Sequence, residues 1–579
     1  LITSSNETSK QGLKNYQFRA NSQSNAPIWL LEYSNKGTEK WYGPFAVNAS
    51  VGEKITATKI AWQRESSPEQ NSIATTELAI AVTQTGMQRI HYADLVDAGL
   101  DLSGKRPSQL AIALGEQSIA IYINGDPEVF NNQSSFDFYA ENIDSLYTNS
   151  RIYHLSFKDK EQKLIAVNST VATTSHDAWH WQSLKYNPNV IYDFSSASAD
   201  PWRAETLATF ANSSFNKPFQ LSHVLDNSSM TTDSNIQLRV KLSGAIDYQQ
   251  PPEINPTDEN RCGANAPDLF LGMPNDHCLQ LTVNDHQYAE IVFDGLRNNN
   301  SQYSIDVNDL EQELLLVGLD LPGQTGYDYD IVNIEEISIK YPRQLYAKNN
   351  LLDFSIANSK TFESDIIYEA NFESNPSNDE ITNQGNNKAA LVIKGFSNEN
   401  IVAYALDRNH PKRIAFVAIT ESMGQFNAKI PAIANSHHYW VSTEEAMLKP
   451  QLQAWKQGSE FNPEGVEYII IAHEDFIQGS QRIKAHHQAH GLNTAIINVN
   501  DIYAKYSASV IDPYAIKAFI AELSKNNSLK YILLVGSDNY DYKGYLSDTH
   551  FSHIPSIYTA IDDVVRHAPA DSLYADIDA

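Results

Sequence analysis

Two cysteines, Cys262 and Cys278, are the only thiols in 579 residues. A thiolate nucleophile needs a histidine base within hydrogen-bond reach. His277 precedes Cys278, but neighbours along a strand point to opposite faces, so the adjacency makes no dyad. Two cysteines and one histidine also fall short of the four ligands of a structural zinc site. An even count, close spacing and no other thiol predict one disulfide and an oxidising compartment. The alternative is a reduced pair in a cytosolic protein.

A second group of reactive side chains lies at the C-terminal end. From Asp538 onward there are eight acids, Asp538, Asp541, Asp548, Asp562, Asp563, Asp571, Asp576 and Asp578, against Lys543 and Arg566. Carboxylates gathered in loops suit calcium, a hard ion that takes oxygen ligands. Asp538, Asp541 and Asp571 are the candidate ligands; solvated loop charges are the other reading. His486 and His490 stand at i, i+4, the spacing of a metal pair, but no H-E-x-x-H pattern or third ligand accompanies them, which favours a plain surface helix. His473, in Ala472-His473-Glu474-Asp475, is a base or a cap. His176 and His180, set among Trp179 and Trp181, default to packing. Ser537 lies outside any G-x-S-x-G elbow, so a serine hydrolase is not supported. The residues alone supply no complete catalytic set: none of them is expected to be catalytic here, and no cofactor beyond calcium is expected.

The elements that must position these groups change character along the chain. Residues 1–174 read as a β-rich domain of short strands such as Thr76–Val82, Gln109–Leu114 and Ser118–Ile123, with a short helix at Tyr92–Ala98 closed by Gly99. Residues 175–357 alternate apolar and polar positions, as in Ile236–Leu242 and Leu279–Val283, and predict an antiparallel sandwich. The polar stretch Gln250–Pro267 is a surface loop carrying Cys262. Residues 358–462 hold short strands (Ala390–Lys394, Val402–Ala405, Ile414–Ile419) and a polar loop at Asn375–Asn387.

After Pro463 the pattern becomes α/β. Glu467–Ala472 is a continuous apolar run, as in a strand buried on both faces. A helix over Phe476–His490 ends at Gly491, and Thr494–Val499 is a second strand. Asp512 then Pro513 is an N-cap followed by an N1 proline. Ile516, Phe519, Ile520 and Leu523 fall on one helical face, and Tyr531–Val535 is a third strand. Strand and helix in alternation predict a parallel sheet, with Leu533, Leu534, Ile470 and Ile516 buried. Ligands sit beyond the carboxyl ends of such strands. The fold class is thus multidomain, mostly β sandwiches, followed by an incomplete α/β domain over 463–579.

Composition excludes several classes. Forty-two basic against 70 acidic side chains give a formal charge of −28. Such a surface repels phosphate backbones and anionic membranes, so no nucleic-acid partner is expected. No apolar run approaches the length of a transmembrane segment. Leu1 opens the chain, which reads as a piece of something longer.

The C-terminal motifs carry a resemblance. Tyr468–Phe476, Gly491-Leu492, Asp501-Ile502-Tyr503, Asp512-Pro513 with Ala515-Ile516 and Phe519, Tyr531–Gly536, Tyr540–Lys543, Ile554-Pro555-Ser556 and Asp571–Asp578 together resemble the opening of the caspase-like domain of gingipain-type cysteine peptidases. Upstream, Thr85–Ala98, Phe136–Ala140, Tyr147–Leu155, Asp276–Gly295 and Tyr341-Pro342-Arg343 are similar, more loosely, to the β-rich regions of large secreted members, including the sortase-like members of type IX secretion. The resemblance implies a secreted or cell-surface bacterial cysteine endopeptidase acting on protein or peptide substrates. Its catalytic His, in a Gly-His-Gly context, and its Cys would both lie downstream. It departs from the family at Ser537, where Asp is usual. This chain is therefore expected to be inactive, with the missing C-terminal part of the same protein as a partner. The competing reading is a non-catalytic extracellular adhesion or binding protein with a degenerate α/β module.

Overall fold

The computed structural model describes residues 28–33, 39–45 and most of 77–577. Outside the description lie 158–162, 222–235, 253–261, 265–272, 307–314, 357–388, 407–410, 456–460 and 547–550, with a few gaps of one or two residues. The expected loop at Asn375–Asn387 and most of the one at Gln250–Pro267 fall there. The chain divides into two units, Leu1–Ile73 and Ala74–Ala579. In the first, Ile28–Tyr33 and Glu39–Phe45 pair antiparallel.

The second unit begins with two sheets. Gln451–Ala454, Leu78–Val82, Arg151–Phe157, Leu110–Leu114 and Gln117–Ile119 form one, and Gly86–His91, Ser135–Ala140 and Ile121–Asn124 the other. They close on Leu78, Ile80, Phe136, Phe138 and Leu155. The predicted short helix is present at Tyr92–Asp97, with Gly99 at positive φ after it. Two short strands at the end of this region cross over. Ala166–Asn168 runs parallel to Lys412–Ile414, and Thr174–His176 parallel to Ala389–Phe396. With Gln451–Ala454 joining the first sheet, strand pairing spans the composition boundary at 174 and ties the third β region to the first. The expected strand Ile414–Ile419 is interrupted: Lys412–Ile414 and Ala418–Ser422 lie in different sheets.

The predicted sandwich has both its sheets. One contains Trp179–Tyr186, Tyr329–Gln344, Ile236–Gly244 and Asn298–Ile305, with Glu205–Phe210 also on Tyr329–Gln344. The other contains Phe215–Leu221, Leu315–Leu321, His277–Val283 and His286–Phe293. Period-two alternation sends Leu238, Val240, Leu279, Leu281, Val317 and Ile339 into one shared core. Asn284 and Asp285, both at positive φ, make the two-residue turn between His277–Val283 and His286–Phe293, as a twisted hairpin requires.

Cys262 and Cys278 are bonded, with Cα atoms 5.9 Å apart. The bond pins a turn to the strand His277–Val283. Beside it, His277 Nδ1 lies 2.7 Å from Asp330 Oδ1, and the Cys278 N–H donates to Asp330 Oδ2. Asp276 Oδ2 accepts from the Tyr248 and Gly295 N–H groups, while its Oδ1 is buried with no hydrogen-bond partner among the described residues.

The α/β module is built as β1 (Tyr468–Ala472), α1 (Ile477–Ala489), β2 (Thr494–Asn498), α2 (Val499–Tyr506), α3 (Pro513–Ser524) and β3 (Tyr531–Val535). All pairings are parallel, in the order β2-β1-β3. Asp512 caps α3 through the Tyr514 N–H, as the sequence predicts. Helix α2, which the sequence reading lacks, starts at an Asn498 cap and buries Val499, Ile502 and Tyr503. Ile470 and Ile516 are fully buried, but Leu533 and Leu534 are only half-buried. Strand β3 has one neighbour among the described residues, and an edge strand shields its side chains less.

Two outcomes follow from the sandwich. Replacing both cysteines by alanine is expected to cost about 3 kcal/mol in urea unfolding, the chain-entropy value for a loop of about 17 residues. Burial raises the Asp276 carboxyl to about 6 from an ordinary 3.8. The folded state then holds this proton more tightly than the unfolded chain. Its contribution to stability is complete below pH 3.8 and is lost as pH rises through about 6. The fall in Tm across that window is expected to be smaller in Asp276→Asn than in the parent; equal slopes would refute the assignment.

Candidate functional site at the ends of the parallel strands

The carboxyl ends of β1 and β3 lie side by side, because the two strands pair in register from Tyr468↔Tyr531 to Ala472↔Val535. The ladder continues one step further, with the His473 N–H donating to the Val535 carbonyl. His473 therefore stands beside the segment Gly536-Ser537-Asp538. Gly536 is required here: a Cβ would sit 2.7 Å from His553 Cβ and 2.9 Å from Ile554 Cγ1. Removing that carbon lets the returning chain lie against the strand end. The His553 N–H donates to the Ser537 carbonyl at 2.9 Å, and Ser537 Oγ lies 3.0 Å from His553 Nδ1.

Asp538 organises the loop beyond. Its carboxylate accepts from the hydroxyls of Tyr542 (2.7 Å), Ser552 (2.8 Å) and Tyr558 (3.0 Å), and from the Asn539 N–H. Burial, then the Asp538 charge, push both tyrosine hydroxyls well above their ordinary range. Asp541 is buried and accepts from the Tyr545 and Leu546 N–H groups, closing the Asp541–Tyr545 turn. Asp571 accepts from Ser556 Oγ at 2.8 Å. The three carboxylates proposed from sequence as calcium ligands thus each face hydroxyl or backbone donors on different parts of the loop. Asp548, Asp563 and Asp578 lie outside the described residues.

Upstream β regions reach this loop. The Tyr147 hydroxyl donates to the Ser556 carbonyl, and its ring meets Tyr542 edge-on at 4.8 Å. Lys543 pairs with Asp144. From the sandwich side, Tyr192 lies 4.4 Å from Tyr540, and Trp202 meets Tyr545 edge-on at 4.9 Å. Burial, then Asp538, push the Tyr192 hydroxyl up to about 12. The N–H groups of Arg566 and His567 donate to the Phe194 carbonyl.

The histidines singled out by sequence separate into three cases. His473 caps the Glu474–Phe476 turn, Nδ1 accepting from the Asp475 N–H at 3.4 Å. It also approaches His553, ring centroids 5.0 Å apart. His553 went unnoticed in the sequence; its signal was its place after Gly536, on the chain that must return past the strand end. The exposed rings of His486 and His490 lie 4.4 Å apart and tilted at the C-terminal end of α1, and no third ligand group joins them among the described residues. His180 is buried against Phe354, and burial lowers it to about 3, the behaviour of a packing residue. The side chain of His176 lies outside the description. No helix among the described residues is long and apolar enough to cross a membrane.

The Asp538 cluster yields a prediction. Asp538→Ala strands three hydroxyls in a half-buried loop and is expected to lose about 2 kcal/mol of stability, the usual cost of unpaired polar groups. Asp538→Asn, which keeps an acceptor oxygen, is expected to lose less. Urea unfolding followed by tryptophan fluorescence measures both; an unchanged midpoint for the alanine variant would remove Asp538 from its organising place.

Residues 461–579 match the profile of peptidase family C25. No curated protein matches the chain. Among solved structures, dimeric latent PorU from Porphyromonas gingivalis has a TM-score of 0.53 at 12% identity, covering 88% of this chain and 46% of that one. A beta-porphyranase of glycoside hydrolase family 86 from Bacteroides plebeius reaches a TM-score of only 0.15 at 10% identity, over 46% of this chain and 35% of that one, and bears on nothing here. The chain spans about half the length of PorU and shares its fold. The family match is thus confined to the α/β module at residues 461–579, and the likeness to PorU is one of fold.

Proposed function

We propose that this chain is the N-terminal portion of a secreted cysteine endopeptidase of the gingipain type, with its Cys–His dyad downstream of residue 579. The observation that carries the reading is the C25 match over the module whose parallel strands end at His473 and Gly536. Chemistry in open parallel sheets gathers at that end. There the chain offers imidazoles, a hydroxyl and a carboxylate, but no thiol. Both of its sulfurs are joined to each other in the sandwich, and a disulfide sulfur has no thiolate to attack a carbonyl. The nucleophile of such an enzyme must then come from elsewhere. The disulfide itself agrees with an exported setting. Protein or peptide is the substrate class, and the β regions, which grip Tyr540, Tyr542 and Tyr545, act as the scaffold for the catalytic loops.

The test compares two lengths of the protein. The 579-residue chain, given denatured casein and peptides with Arg or Lys at the cleavage site, is expected to release nothing, with or without reductant and calcium. The protein carried through its complete reading frame is expected to cleave, and iodoacetamide to silence it. Turnover by the short chain that vanishes in Cys278→Ala would overturn the assignment. A full-length protein with no thiol-dependent cleavage would support a non-catalytic binding role instead.

A further inference from the structure

We propose that His473, Asp475 and His553 form a binding site for a divalent transition-metal ion of the zinc type. One ligand atom from each residue lies within 4.8 Å of the other two. The three come from segments that meet only in the fold: His473 and Asp475 follow β1, and His553 lies 16 positions past Ser537. Two imidazole nitrogens and one carboxylate oxygen are a mixed donor set. Zinc takes such sets, whereas calcium asks for oxygen alone.

The spacing of one ligand pair matches what such an ion needs, and the third ligand lies within 4.8 Å of both. Tetrahedral ligands at about 2.0–2.1 Å from zinc stand about 3.4 Å from one another. His473 Nδ1 and Asp475 Oδ2 are 3.4 Å apart. The same nitrogen accepts a long contact from the Asp475 N–H, so a lone pair and a carboxylate oxygen face one another. A cation between them relieves that opposition.

The surroundings of His553 supply an independent indication. Ligating histidines almost always give their second ring N–H to an oxygen, which fixes the tautomer and aims the other nitrogen. Ser537 Oγ is placed to accept from His553 Nδ1 at 3.0 Å, leaving Nε2 with its lone pair. Gly536 holds the histidine there, since any Cβ would collide with it. Phe476 and Phe551 lie 4.9 and 4.6 Å from the His553 ring and give the pocket an apolar wall. The Asp475 side chain is 56% exposed, so the fourth position of the ion opens to water. An ion here would clasp the loop after β1 to the segment returning past β3. Nothing in this inference requires the protein to be a peptidase.

The experiment uses the 579-residue chain, stripped with a chelator and titrated with cobalt chloride and then zinc chloride. One equivalent of cobalt is expected to bind with the visible absorption of a tetrahedral centre, and zinc to displace it. His553→Ala and Asp475→Asn are expected to abolish the absorption; the second removes only an exposed charge, and circular dichroism matching the parent verifies that it folds. Ser537→Ala is expected to keep the absorption and weaken binding about 10–100-fold. The double variant His486→Ala, His490→Ala is expected to bind as the parent does. Undiminished absorption in Asp475→Asn or His553→Ala overturns the site, as does its loss in the His486, His490 variant. No saturable binding overturns it too.

Discussion

The Asp538 carboxylate is the contact on which the C-terminal architecture turns. Among the described residues, the segment after β3 has little regular structure of its own: a two-residue ladder between Tyr558–Thr559 and Ala568–Pro569, and a turn of 3-10 helix at Asp571–Tyr574. Backbone hydrogen bonding alone cannot fix so irregular a chain. Three hydroxyls, from residues 542, 552 and 558, converge instead on one acceptor. A carboxylate is suited to this, since its two oxygens accept several donors at once and its charge strengthens each bond. Gly536 is the complementary constraint. It lets the chain leave β3 with no side chain in the way, so that residues 552 to 554 come back against the strand end.

That arrangement explains why the upstream β regions touch the module where they do. Tyr540, Tyr542 and Tyr545 offer ring faces to the β regions, while the hydroxyls of Tyr542 and Tyr558 turn to Asp538. Tyr147 covers Tyr542, Tyr192 covers Tyr540 and Trp202 covers Tyr545. Aromatic pairs contribute about 0.5–1.5 kcal/mol each beyond the area they bury. The Lys543–Asp144 pair, whose carboxylate is largely in solvent, adds little by comparison. Orientation of the β regions against the loop is thus set by rings, and the acids of the loop serve its internal order.

Much of this was legible from sequence, for physical reasons. Alternation in Ile236–Leu242 and Leu279–Val283 declares two inward faces, and the sandwich follows. The apolar run at 468–472 and the Asp512-Pro513 start of α3 declare a parallel α/β unit. The disulfide could be read because the two sulfurs had no other partner to choose. Helix α2 escaped because its eight residues, Val499–Tyr506, follow β2 directly through an Asn498 cap, with no break in composition to mark it. The half-exposure of Leu533 and Leu534 escaped because a strand's place in the sheet order is not written in its own residues. The hydroxyl partners of Asp538 escaped because they lie 4, 14 and 20 positions away, across turns that no periodicity describes.

The pairing of His473 with His553 shows the same limit in sharper form. Each histidine taken singly reads as ordinary: one begins a capped turn, the other precedes the Ile554-Pro555 step. Their meeting depends on three things holding together. Strands β1 and β3 must pair in register, Gly536 must admit the returning chain, and Ser537 must hold the ring of His553. The first is a property of the sheet, the second of one missing carbon, the third of one hydroxyl. Chemistry at this end of the module is therefore assembled by topology, and the residue types at positions 473, 536, 537 and 553 acquire meaning only when β1 and β3 lie side by side.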